Sequence, residues 1–179
     1  MADVVDVSLE DVLIPTLNVM RKHGLLLVTI MGSGRINVMT IGWGLIGVFW
    51  REPYFMIAVR PSRYTYSFIE DVGEFTVNVP GRGMETVVEG CGTFSGREID
   101  KFNKFNIKPA KSRIVKPPII DECIIHYECS VKYKDKLDKR QIPKYIIDWI
   151  YPSNDIHTLY FGKIEAIYAK PNYKDLIPA

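Results

Sequence analysis

Three short stretches and two histidines of this 179-residue chain supply residue types that a plain hydrophobic core does not call for. Asn37-Val38-Met39-Thr40-Ile41-Gly42-Trp43 sets small polar groups inside a strand-like run. Its backbone amides and carbonyls, with the Asn37 and Thr40 side chains, offer several donors and acceptors in one plane, as the edge of a flat heterocycle requires. Arg60-Pro61-Ser62-Arg63-Tyr64-Thr65-Tyr66 is a dense basic-aromatic run that opens a helix-like segment. Free first-turn amides, a favourable dipole, a cation and hydroxyls there suit a phosphate. Cys91-Gly92-Thr93-Phe94-Ser95-Gly96-Arg97, followed by Lys101, repeats that chemistry at a second predicted helix start. His157 opens the last strand-like run and His126 lies on the polar side of another; either imidazole can stand over a bound group and meet a second substrate. The combination points to a flat, aromatic, phosphate-bearing cofactor.

Each stretch alone also fits a plainer account. The first fits a barrel strand with incidental polar groups, the second an ordinary capped helix with a surface arginine, and the third an isolated capping box. Cys91 has no histidine beside it in sequence and reads more simply as a buried structural thiol. There is no Gly-x-Ser-x-Gly and no His-Glu-x-x-His, so hydrolase elbow and zinc-protease motif are missing, and no dinucleotide fingerprint is read either: Gly42-Trp43-Gly44-Leu45-Ile46-Gly47 has the glycine spacing but lies inside a strand-like run and opens no helix.

The elements that must position these groups follow from periodicity and turn residues. Residues 25–31 form a short apolar run that predicts a buried strand, Gly32-Ser33-Gly34-Arg35 predicts a turn, and 36–50 predicts the return strand of a hairpin, interrupted by Gly42, Gly44 and Gly47. Arg51-Glu52-Pro53 reads as a turn and 54–60 as a strand. Ser62 reads as the cap of a helix reaching about Val72 and ended by Gly73, and 74–79 as a strand closed by Pro80. Ser95 and Glu98 fit a capping box for a helix through about Phe102. Residues 123–133 alternate, with Ile125, Tyr127, Cys129, Val131 and Tyr133 on one side and His126, Glu128, Ser130 and Lys132 on the other. Residues 144–151 have helical spacing, 157–168 read as a final long strand, and 108–118 as a surface loop. The sum is a mainly β, barrel-like domain over 1–179 with short helical inserts.

Composition narrows the class. A hydrophobic fraction of 47% with 25% charged residues is that of a soluble globular chain. A net charge of +2 argues against nucleic acid or an anionic membrane as partner. Cys91, Cys123 and Cys129 are too scattered for a disulfide framework or a paired-cysteine metal site, and with three histidines zinc is not expected. The acidic start lacks a signal-peptide pattern and no apolar run reaches the roughly 18 residues of a membrane span, so a cytoplasmic setting is expected.

Taken in chain order, the three stretches together with Glu74-Phe75-Thr76-Val77-Asn78-Val79-Pro80, Asp100-Lys101-Phe102 and His157-Thr158-Leu159-Tyr160-Phe161-Gly162 resemble the flavin reductase-like family, in its flavoredoxin branch. The resemblance runs from about Gly24 to Tyr168. It implies a split β-barrel of Greek-key character binding FMN without a covalent link, as a homodimer with flavin sites near the subunit interface. It places Asn37, Val38, Met39 and Thr40 along the flavin ring, Ser62, Arg63, Tyr64 and Thr65 at ribityl and phosphate, Asn78 and Val79 in the pocket lining, and Ser95, Gly96 and Lys101 on the phosphate side. It makes His157 the catalytic candidate, near where a nicotinamide would stack. The activity implied is an NAD(P)H-dependent flavin reductase, with NAD(P)H as donor and a redox protein or monooxygenase as partner. A flavoredoxin-like electron carrier and a non-catalytic FMN-binding module stand beside it. Residues 132–154 depart from the family pattern and are expected to shape the substrate entrance.

Overall fold

The apolar run at 25–30 belongs to a strand covered on both faces. The computed structural model describes residues 3–178; residues 1, 2 and 179, the ends of the expected 1–179 domain, lie outside the described residues. In chain order the elements are β1 (Val5–Asp6), α1 (Leu9–Lys22), β2 (Leu25–Ile30), β3 (Ile36–Ile41), β4 (Gly44–Phe49), β5 (Glu52–Val59), α2 (Tyr64–Val72), β6 (Glu74–Val79), α3 (Glu85–Thr93), α4 (Lys101–Lys104), β7 (Pro109–Ala110), β8 (Ile119–Ile120), β9 (Ile125–Lys136), α5 (Lys144–Ile150) and β10 (Thr158–Ala169). Leu25 and Leu27 of β2 enter one core, shared with α1, β5, β6, β9 and β10, while Leu26 and Val28 enter a second, shared with α3, α4 and the segment before β9. A strand sandwiched in this way needs apolar residues at every position rather than at alternate ones.

The main sheet is antiparallel, in the order β3-β2-β6-β9-β10-β5-β4, with β1 paired to β10. β3 and β4 are therefore its two ends. Yet only Gly42 and Trp43 join them, a link that spans at most about 11 Å at ~3.8 Å per residue. The sheet must curl until its ends almost meet, without a β3–β4 ladder to seal them. That is a barrel with an open seam. The 12-residue strands β9 and β10 make the bend, helped by register shifts at Phe161/Gly162 and Ile164/Ala166. Gly162 is required there: a Cβ would lie 2.4 Å from the Phe75 ring.

Several expectations need correction. The run 36–50 is two strands, because β3 pairs with β2 and β4 with β5, at opposite ends of the sheet. The β4–β5 turn is Trp50-Arg51, both at positive φ, so Glu52 and Pro53 are already strand. Ser62 does not cap α2: Arg63 is the N-cap residue, without a side-chain cap bond, and the Ser62 hydroxyl goes to Asp155. No capping box forms at Ser95 and Glu98, where the chain only turns; α4 starts at 101, capped by Asp100. The unforeseen helix α3 is masked in sequence by Gly90 and Gly92; Gly90 lies under the Phe105 ring.

The expected polar face of β9 is buried at His126 and Glu128, half-buried at Ser130 and exposed at Lys132. Glu128 accepts hydrogen bonds from the backbone amides of Arg113, Ile114 and Val115 and from the Tyr168 hydroxyl. Residues 108–118 are thus pinned onto the sheet by a buried carboxylate rather than lying free on the surface.

Candidate functional site

At the open seam, the β3–β4 link, the end of β5, the start of α2, the end of α3 and residues 94–98 enclose a cavity of about 530 Å3. Small-molecule and cofactor cavities run from about 300 to 1,000 Å3. Asn37, Met39, Thr40, Ser62, Arg63, Tyr64, Thr65, Ser95, Gly96, Lys101 and His157 all line it. The expected stretches, far apart in sequence, are brought to one place.

One wall is the free edge of β3. The Val38 carbonyl accepts from Lys101 rather than from β2, so by antiparallel alternation Val38 and Thr40 turn their backbone groups outward. Thr40 then offers an N–H and a C=O in the plane of the strand, next to Gly42. Asn37 donates to the Thr65 hydroxyl at 2.7 Å, tying β3 to α2. Gly96 packs so closely on that amide that a Cβ would sit 2.1 Å from Asn37 Oδ1.

The opposite end is cationic. The first amides of a helix lack intrahelical partners, and no side chain caps those of α2. Among the described residues the Arg63 guanidinium has no hydrogen-bond or carboxylate partner. Arg97 donates to the Ser62 carbonyl at 3.0 Å and lies over the Tyr64 ring. Lys101 is only 5% exposed. Its ammonium donates to the Val38 and Cys91 carbonyls at 2.9 and 2.8 Å and meets no carboxylate among the described residues. Burial, and secondarily Arg63, pull its pKa down, while Cys91 opposes them. A buried ammonium neutralised by carbonyls alone is a poor resting arrangement and a good one for an anion. The Cys91 thiol, pushed up to about 11 by burial, is no nucleophile at neutral pH.

His157 closes the third side. It is 7% exposed, its Nδ1 lies 2.8 Å from the Tyr151 hydroxyl, and its ring packs 4.9 Å from that of Trp43. Burial, then Arg60, lower its pKa to about 4, with Asp155 pulling the other way and Arg63 adding a smaller depression. At neutral pH the imidazole is uncharged. Arg60 in turn lies over the Tyr151 ring and donates to the Ile150 carbonyl.

Three expected residues are elsewhere. Val38 reaches the site only through its carbonyl; its side chain is in the second core. Val79 is in the first core. Asn78 is fully buried, donating to the Leu26 carbonyl and Thr76 hydroxyl and meeting the Ile120 amide and His126 ring. Burial lowers the His126 pKa to about 3, so that histidine is a neutral part of this internal network. Conversely, Trp43, Arg60 and Arg97 line the cavity from within the quoted motifs. Tyr151, in the segment 132–154 that departs from the family pattern, bonds to the cavity-lining His157, and Asp155, just after that segment, bonds to Ser62; neither has a local signal beyond the end of a helical apolar pattern.

The model of the flavin reductase like domain family matches residues 20–177, most of the chain. The chain belongs to that family. Within reach of it is an uncharacterized protein of Archaeoglobus fulgidus, 35% identical over 102 residues, 57% of each chain; the chain thus spans little more than half that relative's length. Among solved structures, a flavoredoxin from Methanosarcina acetivorans is 28% identical with a TM-score of 0.65, covering 87% of this chain and 77% of its own. The FMN-binding domain of a flavin reductases-like enzyme from Shewanella baltica superimposes with a TM-score of 0.68 at 17% identity, covering 99% and 86%. The family fold is the mainly β split barrel.

Proposed function

We propose that the chain binds FMN non-covalently in the seam cavity and acts as an NAD(P)H-dependent flavin reductase. The observation that carries this reading is the buried Lys101 ammonium, which meets no carboxylate among the described residues, beside the start of α2 and an Arg63 guanidinium that likewise have no side-chain partner among them. Those groups fit a phosphate, and the donor and acceptor edge at Thr40 fits a flat heterocycle. Lys101, Arg63 and the amides of Tyr64 and Thr65 would hold the phosphate, with Ser95 and Gly96 beside it. Asn37, Met39 and Thr40 would border the ring. FMN held by these residues would supply the redox chemistry, between a reduced nicotinamide as hydride donor and an electron acceptor. The chain positions the ligand, excludes water with Trp43 and Tyr64, and presents His157 as a neutral hydrogen-bonding group rather than as an acid.

Two measurements test this. Titration with FMN is expected to quench its fluorescence to saturation at one FMN per chain. Anaerobic mixing of the complex with NADH or NADPH is expected to bleach the flavin band faster than in protein-free solution; no acceleration refutes the reductase reading. A second reading, an electron carrier, draws support from the identity with a flavoredoxin. It requires NAD(P)H to be inert while a reduced redox protein bleaches the flavin. Bound FMN that neither donor reduces marks a non-catalytic binding module. In the reductase reading a monooxygenase or another redox protein consumes the reduced flavin.

We also propose a homodimer through β4. This end strand exposes Leu45 and Val48, at 66% and 76%, and the turn after it exposes Trp50, at 59%. Phe49 and Trp50 stack and continue into Tyr54, Tyr133 and Phe161. Such an apolar surface next to Trp43 suits a second copy that also borders the cavity. Light scattering is expected to give twice the chain mass, and Leu45→Asp to shift it toward one.

A further inference from the structure

We propose that Tyr151 is a positioning residue that holds His157 in one tautomer, with the proton on Nε2, as a neutral donor to whatever occupies the cavity. This deepens the flavin reading and rests on it for the role of His157, but the geometry stands by itself.

A neutral imidazole carries one proton, and which nitrogen has it is set by the partner of the other. Here Nδ1 is 2.8 Å from the Tyr151 hydroxyl. Burial raises the Tyr151 pKa, with Arg60 opposing, so the phenol keeps its proton. That proton has no other acceptor among the described residues and goes to Nδ1. The imidazole proton must then be on Nε2, which has no partner among the described residues and belongs to a cavity-lining side chain.

The ring is also fixed in place. Trp43 packs on it at 4.9 Å and Tyr151 meets it edge-on at 5.5 Å. Tyr151 is itself held by Arg60, whose guanidinium lies 5.6 Å over its ring and donates to the neighbouring Ile150 carbonyl. The charged groups around the imidazole are Arg60, Arg63 and Asp155; burial first, and then Arg60 with a smaller part from Arg63, keep the ring from protonating against the pull of Asp155. The segment at 132–154 therefore does more than border an entrance. It supplies the hydroxyl that decides what hydrogen-bonding face His157 turns to a ligand.

The test begins on the ligand-free wild-type protein, by 15N NMR of the imidazoles. The expected result is a single Nε2–H tautomer for His157 between about pH 6 and 8; an Nδ1–H tautomer overturns the proposal. Tyr151→Phe keeps the ring over Arg60 and removes only the hydroxyl. It is expected to mix the two tautomers and to slow flavin reduction roughly five- to tenfold, the scale of one neutral hydrogen bond, with FMN affinity kept within about twofold. A variant with the wild-type tautomer and rate, or one that loses FMN affinity as much as rate, refutes a positioning role. A wild-type protein that binds no FMN defeats the flavin reading instead, and the tautomer measurement still decides Tyr151.

Discussion

Replacing Arg63 by alanine isolates the ligand's demand for charge from the chain's own needs. The guanidinium has no partner among the described residues, and the Arg63 side chain makes no capping bond to α2. Its removal should leave the ligand-free fold within about 0.5 kcal/mol of wild type, as at an ordinary surface position. It should even ease Lys101, whose pKa Arg63 helps to depress. Binding is different. A charge-assisted hydrogen bond to a phosphate contributes about 1.5–3 kcal/mol, and each 1.4 kcal/mol is tenfold, so the FMN dissociation constant should rise about 12- to 140-fold. Fluorescence titration at low and high salt measures it. The wild-type protein should lose affinity with added salt more steeply than the variant, which has one cation fewer at the site. An unchanged dissociation constant would remove Arg63 from the anion site. A large fall in the urea midpoint of the ligand-free variant would show that the guanidinium serves the fold, against the contacts described above.

Three further outcomes are expected. Gly96→Ala places a Cβ 2.1 Å from Asn37 Oδ1 and 3.0 Å from the Tyr64 ring, so it should cost about 1–3 kcal/mol in urea unfolding and weaken FMN binding; unchanged values would mean that Asn37 is free to move. Glu128→Gln leaves one acceptor where a carboxylate served three amides and a phenol, and should cost more than about 2 kcal/mol and speed hydrogen exchange at Arg113, Ile114 and Val115; wild-type protection there refutes the clamp. Acid should destabilise the chain through its buried histidines. Unfolded imidazoles take protons near pH 6.5, whereas folded His157 and His126 resist until about 4 and about 3. The unfolded state thus binds more protons in that window. Stability is complete above about pH 6.5 and falls below it, by up to about 1.4 kcal/mol per pH unit for each histidine. Flat urea midpoints from pH 7 to pH 4 would contradict this.

What was legible in the chain was what short-range chemistry determines. β2 was readable because an unbroken apolar run with a glycine turn allows little else, and α2 because Pro61 and Gly73 bracket it. The groups at 37–40 and 62–65 were readable as a site because each carries its polar residues within a few positions. The division of 36–50 was not, since it depends on which strands pair: β3 finds β2 nearby, but β4 closes on β5 at the other end of the sheet. Asn78 misled for a related reason. A polar residue in a strand looks the same whether it faces a ligand or a neighbouring loop, and its partners Ile120 and His126 are 42 and 48 positions away. Ser62 is the clearest case: its local pattern is that of a helix cap, and a carboxylate 93 positions on outcompetes the helix for its hydroxyl.

The two-residue link between β3 and β4 has a consequence for how affinity arises. Met39 and Thr40 come from one extremity of the sheet, while Ala58 and His157 come from strands near the other, and all border the same cavity. The site is therefore a property of closure and not of any segment. A chain in which β4 and β5 have frayed keeps the cationic end at α2 but loses the far wall, so it retains attraction for an anion without a shape to hold it. Ligand and seam are thermodynamically coupled: whatever tightens the hold on a bound molecule also draws the two ends of the sheet together, and a substitution that loosens the seam far from any contact weakens binding all the same.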